Sequence, residues 1–129
     1  MKTILVVDDE ARMRKIYSEF LTAEGFRVLE ASHVVEADEI LIKEPIDLVL
    51  LDLRMREING NILYDVMQLF HKKTRVIVSS VYHLDKQKKI ITEAADYYDK
   101  SQGIDVLLKK IREVFKDEVI PAGSDKVLI

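Results

Sequence analysis

Polar side chains that could bind a metal ion and a phosphate group stand at the ends of four separate apolar runs. They are Asp8 and Asp9 after ILVV, Asp52 after LVLL, Ser80 after VIVS, and Lys100 after ADYYD. Because the carboxyl ends of parallel strands share one edge of a sheet, these residues are expected to meet in a single pocket. Three carboxylates so close would repel one another unless a cation joined them, and an all-oxygen site suits Mg²⁺. A carboxylate, Mg²⁺, a lysine and a hydroxyl are the groups needed to accept and hold a phosphoryl group.

The apolar runs themselves predict buried strands. Residues 4–7 and 48–51 are short and continuously apolar, and residues 76–78 resemble them. Runs of this kind are typical of parallel strands that are covered on both faces.

Helical patterns lie between these strands. Apolar residues recur at helical spacing over 13–21, and Val34 to Lys43 predicts a second helix with Ser32 as its N-cap and Pro45 beyond its end. The remaining three helices are predicted over about 61–71, 84–94 and 104–115.

Strand and helix alternate five times, which favours an α/β fold with helices on both faces of an open parallel sheet. We predict a flavodoxin-like, doubly wound sheet of five strands in the order 2-1-3-4-5, with five helices. In that order the crevice lies outside the ends of strands 1 and 3, where Asp8, Asp9 and Asp52 fall. The pattern stops after about Lys116, so residues 1–117 are predicted to form the domain and 118–129 a tail or linker.

Composition narrows the function classes. A chain of 129 residues with 48% hydrophobic content is expected to form one compact domain. A net charge of -3 gives no general attraction to nucleic acid or to an anionic membrane, and the absence of cysteine excludes disulfides and thiolate chemistry. The start MKTILVV is interrupted by Asp8 and Asp9 before it is long enough for a secretion signal, so a cytoplasmic protein is expected.

Four sequence motifs resemble the receiver domain of two-component response regulators, over about residues 2–116. They are VVDDE at 6–10, LLDLRM at 50–55 with Gly60 eight residues after Asp52, the strand ending in Ser80, and ADYYDK at 95–100. Each motif alone is weak. Their order and spacing together are specific.

This resemblance implies a role for each acidic residue. Asp52 would be the phosphoacceptor, taking a phosphoryl group from a histidine kinase or a histidine phosphotransfer protein in a two-component system or phosphorelay. Asp9 would bind Mg²⁺ directly and Asp8 largely through water, while Asp52 and the backbone carbonyl of Arg54 would complete the protein ligands.

The resemblance also implies a switch. Lys100 would bind the phosphoryl oxygens, Ser80 would donate its hydroxyl to them, and Tyr97 would turn inward. These changes would reshape the face made by the fourth helix, fifth strand and fifth helix. The expected output is recognition of an unidentified protein or downstream domain, or formation of a homodimer through that face.

Several positions depart from the family pattern. Arg56 replaces the usual proline four residues after the acceptor, which predicts a more mobile loop. Val81 replaces a smaller residue beside the switch hydroxyl. Ser101 replaces the proline after Lys100, and without proline a trans Lys100–Ser101 bond is expected because the cis form costs about 2.5 to 4 kcal/mol.

Other functions remain open from the residues alone. The main expectation is a signalling switch and not an enzyme acting on an external substrate. A Mg²⁺-dependent phosphohydrolase with an aspartyl intermediate would use related chemistry, although such enzymes carry the nucleophile after the first strand. Flavin binding fits poorly with an acidic loop, and a degenerate receiver used only for docking would be consistent with the altered Arg56, Val81 and Ser101.

Overall fold

The protein folds around one five-stranded parallel sheet. The computed structural model describes residues 1–56 and 58–127. The strands are β1 (Thr3–Val7), β2 (Arg27–Ala31), β3 (Leu48–Leu51), β4 (Arg75–Ser80) and β5 (Asp96–Asp99). Their order is β2-β1-β3-β4-β5, with all neighbouring pairs parallel, so the predicted topology is confirmed.

Five helices cover the sheet within the described residues. They are α1 (Ala11–Ala23), α2 (Val34–Lys43), α3 (Gly60–Phe70), α4 (Leu84–Ile90) and α5 (Ile104–Val127), and a 3-10 turn over Lys100–Gln102 precedes α5. All residues of β1 and β3 are buried, because helices pack on both sides of these central strands.

Alternate residues of the strands enter two separate cores. Leu5 and Val49 pack with α2 and α3, whereas Ile4 and Leu50 pack with α1 and α5. Full burial of each such side chain contributes about 1.5 to 3 kcal/mol relative to leaving it exposed. The sheet is therefore held on both faces, which fixes the edge where its carboxyl ends meet.

The second helix begins where predicted, but its cap is one residue later. The ring Nδ1 of His33 accepts a hydrogen bond from the N–H of Glu36 at 3.2 Å. Ser32 instead donates its own N–H and its hydroxyl to the Glu36 carboxylate, at 2.6 and 3.2 Å. Both residues therefore help to start α2, and the prediction of Ser32 as the N-cap is wrong.

The fourth helix is shorter than the predicted span of 84–94. It ends at Ile90, and the next residue, Ile91, is buried in an extended conformation. The carbonyl of Ile91 accepts a 2.6 Å hydrogen bond from the hydroxyl of Tyr97, which satisfies that group outside a helix. The weak apolar pattern of α4 is also explained, because a fully buried residue within it is the polar Gln87.

The fifth helix is longer than predicted. Its backbone remains helical from Ile104 to Val127, beyond the end expected near Lys116. Residues 128 and 129 of the predicted tail lie outside the described residues.

None of the helices in the described part of the chain combines the length and the apolar character that a membrane span requires.

Candidate phosphoacceptor site

The sheet brings the predicted site residues to its carboxyl edge. Asp8 follows β1, Asp52 follows β3, Ser80 ends β4 and Lys100 follows β5. Val7 and Leu51 are partners in adjacent strands, and the N–H of Asp52 donates to the carbonyl of Val7 at 3.0 Å. The strand register therefore fixes Asp8 and Asp52 side by side.

Three carboxylates form one cluster at this edge. One oxygen from each of Asp8, Asp9 and Asp52 lies within 4.8 Å of the others. Oxygen donors alone fit a hard cation such as Mg²⁺, which needs few protein ligands because it keeps several waters. The donor set is therefore compatible with the predicted Mg²⁺ site.

Lys100 joins two of these carboxylates. Its Nζ lies 2.8 Å from Oδ2 of Asp8 and 3.5 Å from Oδ2 of Asp52. Burial opposes the charge of this ammonium, but the carboxylates of Asp52 and Asp8 outweigh burial and raise the pKa of Lys100. The lysine therefore stays charged at neutral pH.

Asp52 is the carboxylate whose acidity is most altered. Burial raises the pKa of Asp52 to about 6, since a charged group is poorly solvated there. Lys100 lowers that pKa, whereas Asp8 raises it. The N–H of Arg54 also donates to Oδ1 of Asp52 at 3.2 Å, which favours the charged form.

The loops after β1 and β3 hold the other two carboxylates. Oδ1 of Asp8 accepts the N–H of Glu10 at 2.9 Å, and the carbonyl of Asp8 accepts a 2.7 Å bond from Arg14. Oδ2 of Asp9 accepts the backbone N–H of Arg56 at 2.9 Å. The guanidinium Nε of Arg56 lies 3.5 Å from the same oxygen.

Ser80 and Tyr97 lie inside the protein. The Oγ of Ser80 is buried and accepts the N–H of Tyr82 at 3.2 Å, which leaves its hydroxyl proton free for another acceptor. Tyr97 is 8% exposed, and its hydroxyl donates to Ile91 and accepts the N–H of Ala94 at 3.1 Å. The tyrosine ring is therefore in the inward position.

An open cavity of about 600 Å³ leads to Asp52. Its lining includes Asp9, Arg54, Arg56, Val81, Tyr82 and Lys100. The ring of Tyr82 contacts two cations, with the Nζ of Lys86 3.9 Å and the Cζ of Arg54 6.0 Å from its centre. Large side chains thus surround the approach to Asp52.

In the turn after β5, Ser101 stands where the family resemblance led us to expect proline, and it bonds to Asp99. The Lys100–Ser101 bond is trans, as predicted. Oδ1 of Asp99 accepts both the N–H and the hydroxyl of Ser101, at 2.9 and 2.7 Å. A proline would have no N–H to donate, so Ser101 gives this loop a cap of its own.

Three contacts around the site were missed from the sequence. The side-chain amide of buried Gln87 donates to the carbonyls of Tyr82 and Tyr98, at 2.7 and 2.9 Å. Nδ1 of His83 lies 3.2 Å from Oδ2 of Asp99. No apolar spacing could indicate these polar contacts or the bond from Arg56 to Asp9, because apolar periodicity reports only the burial of apolar side chains.

A doubly wound parallel sheet with three acidic side chains and a lysine at its carboxyl edge is the arrangement that the sequence motifs led us to expect of a receiver domain. Comparison with known proteins agrees. A family model for the response regulator receiver domain matches residues 4–112, and the chain belongs to that family.

Two curated relatives come from bacterial regulatory systems. The chain is 33% identical to sporulation initiation phosphotransferase F of Bacillus subtilis over 79 residues, which cover 61% of this chain and 64% of that protein. It is 31% identical to the transcriptional regulatory protein CpxR of Klebsiella pneumoniae over 117 residues, which cover 90% of this chain and 50% of that protein. The matched region thus spans about half to two thirds of these relatives.

Solved structures share the whole architecture. The response regulator TrrA of Thermotoga maritima, solved with Mg²⁺ and beryllofluoride, is 31% identical with a TM-score of 0.81, covering 88% of this chain and 99% of TrrA. TrrA has also been solved in complex with the histidine kinase ThkA. The fold and the receiver class are therefore established for this chain.

Proposed function

We propose that Asp52 accepts a phosphoryl group from a histidine kinase or a histidine phosphotransfer protein. A carboxylate oxygen of Asp52 would form a bond to phosphorus while the bond from phosphorus to the donor imidazole nitrogen breaks. The observation that carries this proposal is the buried Asp52 carboxylate with the ammonium of Lys100 at 3.5 Å. The kinase complex of the related TrrA supports the choice of donor.

Mg²⁺ is the proposed cofactor. Asp9 and Asp52 would bind it directly together with the backbone carbonyl of Arg54, and Asp8 would bind it largely through water. When bound, the ion supplies positive charge to the transferring phosphoryl oxygens. The cluster of three carboxylates supports this assignment.

Lys100 and Ser80 are proposed to hold the phosphoryl group after transfer. Lys100 would exchange one carboxylate oxygen for a phosphoryl oxygen, which a flexible ammonium with three donors can do. Ser80 would donate its free hydroxyl proton. The hydroxyl accepts the N–H of Tyr82, and this bond leaves that proton available.

The output is proposed to be recognition of a protein or of a downstream domain by α4, β5 and α5. We infer that the buried position of Tyr97 is one of the two positions of the switch. Its hydroxyl bonds to the segment that follows α4, so an outward turn of the ring would release Ile91 and Ala94. This role is that of a cytoplasmic signalling module with no external substrate, in which residues 1–117 form the domain and residues 118–129 form a tail or a linker.

A homodimer through the same face is a further proposal. Exposed Lys88 and Lys89 on α4 would face exposed Asp105 on α5 of a second copy. Asp99 does not belong to this charged surface, because it is buried against Ser101 and His83. Light scattering with and without beryllofluoride measures the association, and an unchanged monomer at high concentration would contradict it.

Formation of a beryllofluoride complex tests the phosphoacceptor. Wild-type protein should bind beryllofluoride only when Mg²⁺ is present, because both carboxylate charge and the cation are needed. Asp52→Asn should not bind it, whereas Asp47→Asn, at the other end of β3, should behave as wild type. Equal binding by wild type and Asp52→Asn would show that Asp52 is not the acceptor.

A further inference from the structure

Arg56, which has no part in the proposed function, contacts Asp9, one of the three clustered carboxylates. Arg56 reaches Asp9 twice, through its backbone N–H at 2.9 Å and its guanidinium Nε at 3.5 Å, and both contacts go to Oδ2. Arg56 also lines the cavity above Asp52 and a second cavity of about 200 Å³ on the other side of Asp9. Its side chain therefore lies beside the solvent-facing carboxylate of the cluster.

The three carboxylates are not equally accessible. The side chains of Asp8 and Asp52 are 3% and 8% exposed and share Lys100, whereas that of Asp9 is 21% exposed and contacts Arg56. Two basic residues thus divide the negative charge of the cluster between them. An ion entering from solvent would meet Asp9 first.

We propose that Arg56 is a positioning residue that competes with Mg²⁺ for the charge of Asp9 and thereby lowers the affinity of the site for the ion. This inference rests on the proposed Mg²⁺ site. A guanidinium within contact distance of a metal ligand repels the incoming Mg²⁺. When the ion binds, the guanidinium either moves away or stays beside the ion at an energetic cost. Since the Arg56 side chain is 83% exposed, it can leave Asp9 without disturbing the fold.

The expected effect is small because an exposed ion pair is screened by water. Exposed pairs typically change an equilibrium by about two- to fivefold. The contact therefore tunes the Mg²⁺ concentration at which the domain becomes competent for phosphoryl transfer, and does not block the site.

Variants at position 56 separate the charge from the backbone contact. Arg56→Gln keeps the N–H to Asp9 and removes the guanidinium, and Arg56→Lys keeps a positive charge. Arg27→Gln is the matched control, since Arg27 forms an exposed pair with Glu44 at the opposite end of the sheet. NMR titration of the amides of residues 8–10 and 52–54 with MgCl₂, at fixed ionic strength, gives the dissociation constant of each protein.

We expect Arg56→Gln to bind Mg²⁺ about two- to fivefold more tightly than wild type, with Arg56→Lys and Arg27→Gln close to wild type. The advantage of Arg56→Gln should shrink in about 1 M salt, where the Debye length falls to about 3 Å. Equal affinities of Arg56→Gln and wild type, or an equal gain in Arg27→Gln, would overturn the inference. Absence of any saturable Mg²⁺ shift in wild type would instead refute the proposed metal site.

Discussion

The ammonium of Lys100 lies 2.8 Å from the Asp8 carboxylate, although 92 residues separate them in the sequence. The same ammonium lies 3.5 Å from Asp52. One partly buried cation therefore balances part of the charge of two carboxylates that follow the adjacent strands β1 and β3. The cluster still carries excess negative charge, and the burial of Asp52 makes its own charge unfavourable, which determines how stability depends on pH.

Asp52→Asn should stabilise the metal-free protein above pH 6. The pKa of Asp52 is about 6 in the folded protein, compared with an ordinary value of 3.8. Between pH 3.8 and pH 6, the Asp52 carboxyl group therefore keeps its proton in the folded protein but loses it in the unfolded chain. The free energy of unfolding of wild type therefore falls as pH rises through this window, by up to about 3 kcal/mol. Asparagine at position 52 does not ionise, so the variant does not lose this stability as pH rises. Urea unfolding in EDTA at pH 4 and pH 8 should show a difference between the variants only at pH 8.

Asp99→Asn is the control of opposite sign. Hydrogen bonds from the N–H and hydroxyl of Ser101, and the contact with His83, lower the pKa of Asp99. Its charge therefore stabilises the fold above its ordinary pKa, and this contribution is lost as pH falls. Asp99→Asn should be less stable than wild type at pH 8. A gain of stability in both variants would mean that general charge reduction, and not the burial of Asp52, is responsible.

Lys100→Met should raise the pKa of Asp52 above 6. The lysine is the largest influence that lowers this pKa, so its removal leaves burial and Asp8 opposed by the weaker effect of the Arg54 N–H. Loss of a charge-assisted hydrogen bond to the bound anion should also weaken beryllofluoride binding at least about tenfold. Carbon-13 shifts of the aspartate carboxyl groups measure the pKa. Lys100→Arg keeps the charge and should leave the pKa of Asp52 closer to wild type.

Gly60→Ala should destabilise the domain more than Gly25→Ala does. A Cβ at Gly60 would overlap the backbone carbonyl of Asp52 and lie 3.1 Å from Leu51, so the loop carrying the acceptor would have to move. Overpacking of this kind costs about 1 to 3 kcal/mol. Gly25 has a φ of +97° but open space around it, so alanine there meets backbone strain of about 1 to 2 kcal/mol and no clash. Chemical unfolding compares the two variants, and an equal loss of unfolding free energy would show that the overlap at Gly60 has no effect on stability.

The sequence predicted the parts of this site that depend on strand order. Asp52 and Ser80 could be placed at one edge because buried strands alternate with helices, and parallel strands align their carboxyl ends. The family resemblance then supplied their roles.

Contacts made between loops could not be predicted in the same way. The bond from Arg56 to Asp9 depends on the path of the β3–α3 loop, and the position was expected only to make that loop more mobile. Gln87 is a polar residue between lysines, yet it is buried because two carbonyls need its donors. Sequence periodicity reports apolar burial, so it fails where a buried side chain is polar.

A phosphoryl group on Asp52, the acceptor that we propose, should be long-lived. Its hydrolysis needs a water in line with the scissile bond, and the side chains nearest that approach in receivers are those two positions after the acceptor and two after the switch hydroxyl. Here they are Arg54 and Tyr82, which both line the cavity above Asp52. Their separation of 6.0 Å, measured from the guanidinium carbon to the ring centre, lets them cover this opening together, with Val81 beside them.

Large side chains at both positions should exclude or misplace the attacking water, which removes part of the advantage of proximity. Lys86, 3.9 Å above the Tyr82 ring, further restricts that ring. We therefore expect Arg54→Asn with Tyr82→Glu to lose the phosphoryl group faster than wild type in the presence of Mg²⁺. Decay of phosphorylated protein measures the rate, with Lys73→Asn as a control remote from the cavity. If the double variant decays no faster than wild type, shielding by these side chains does not set the lifetime.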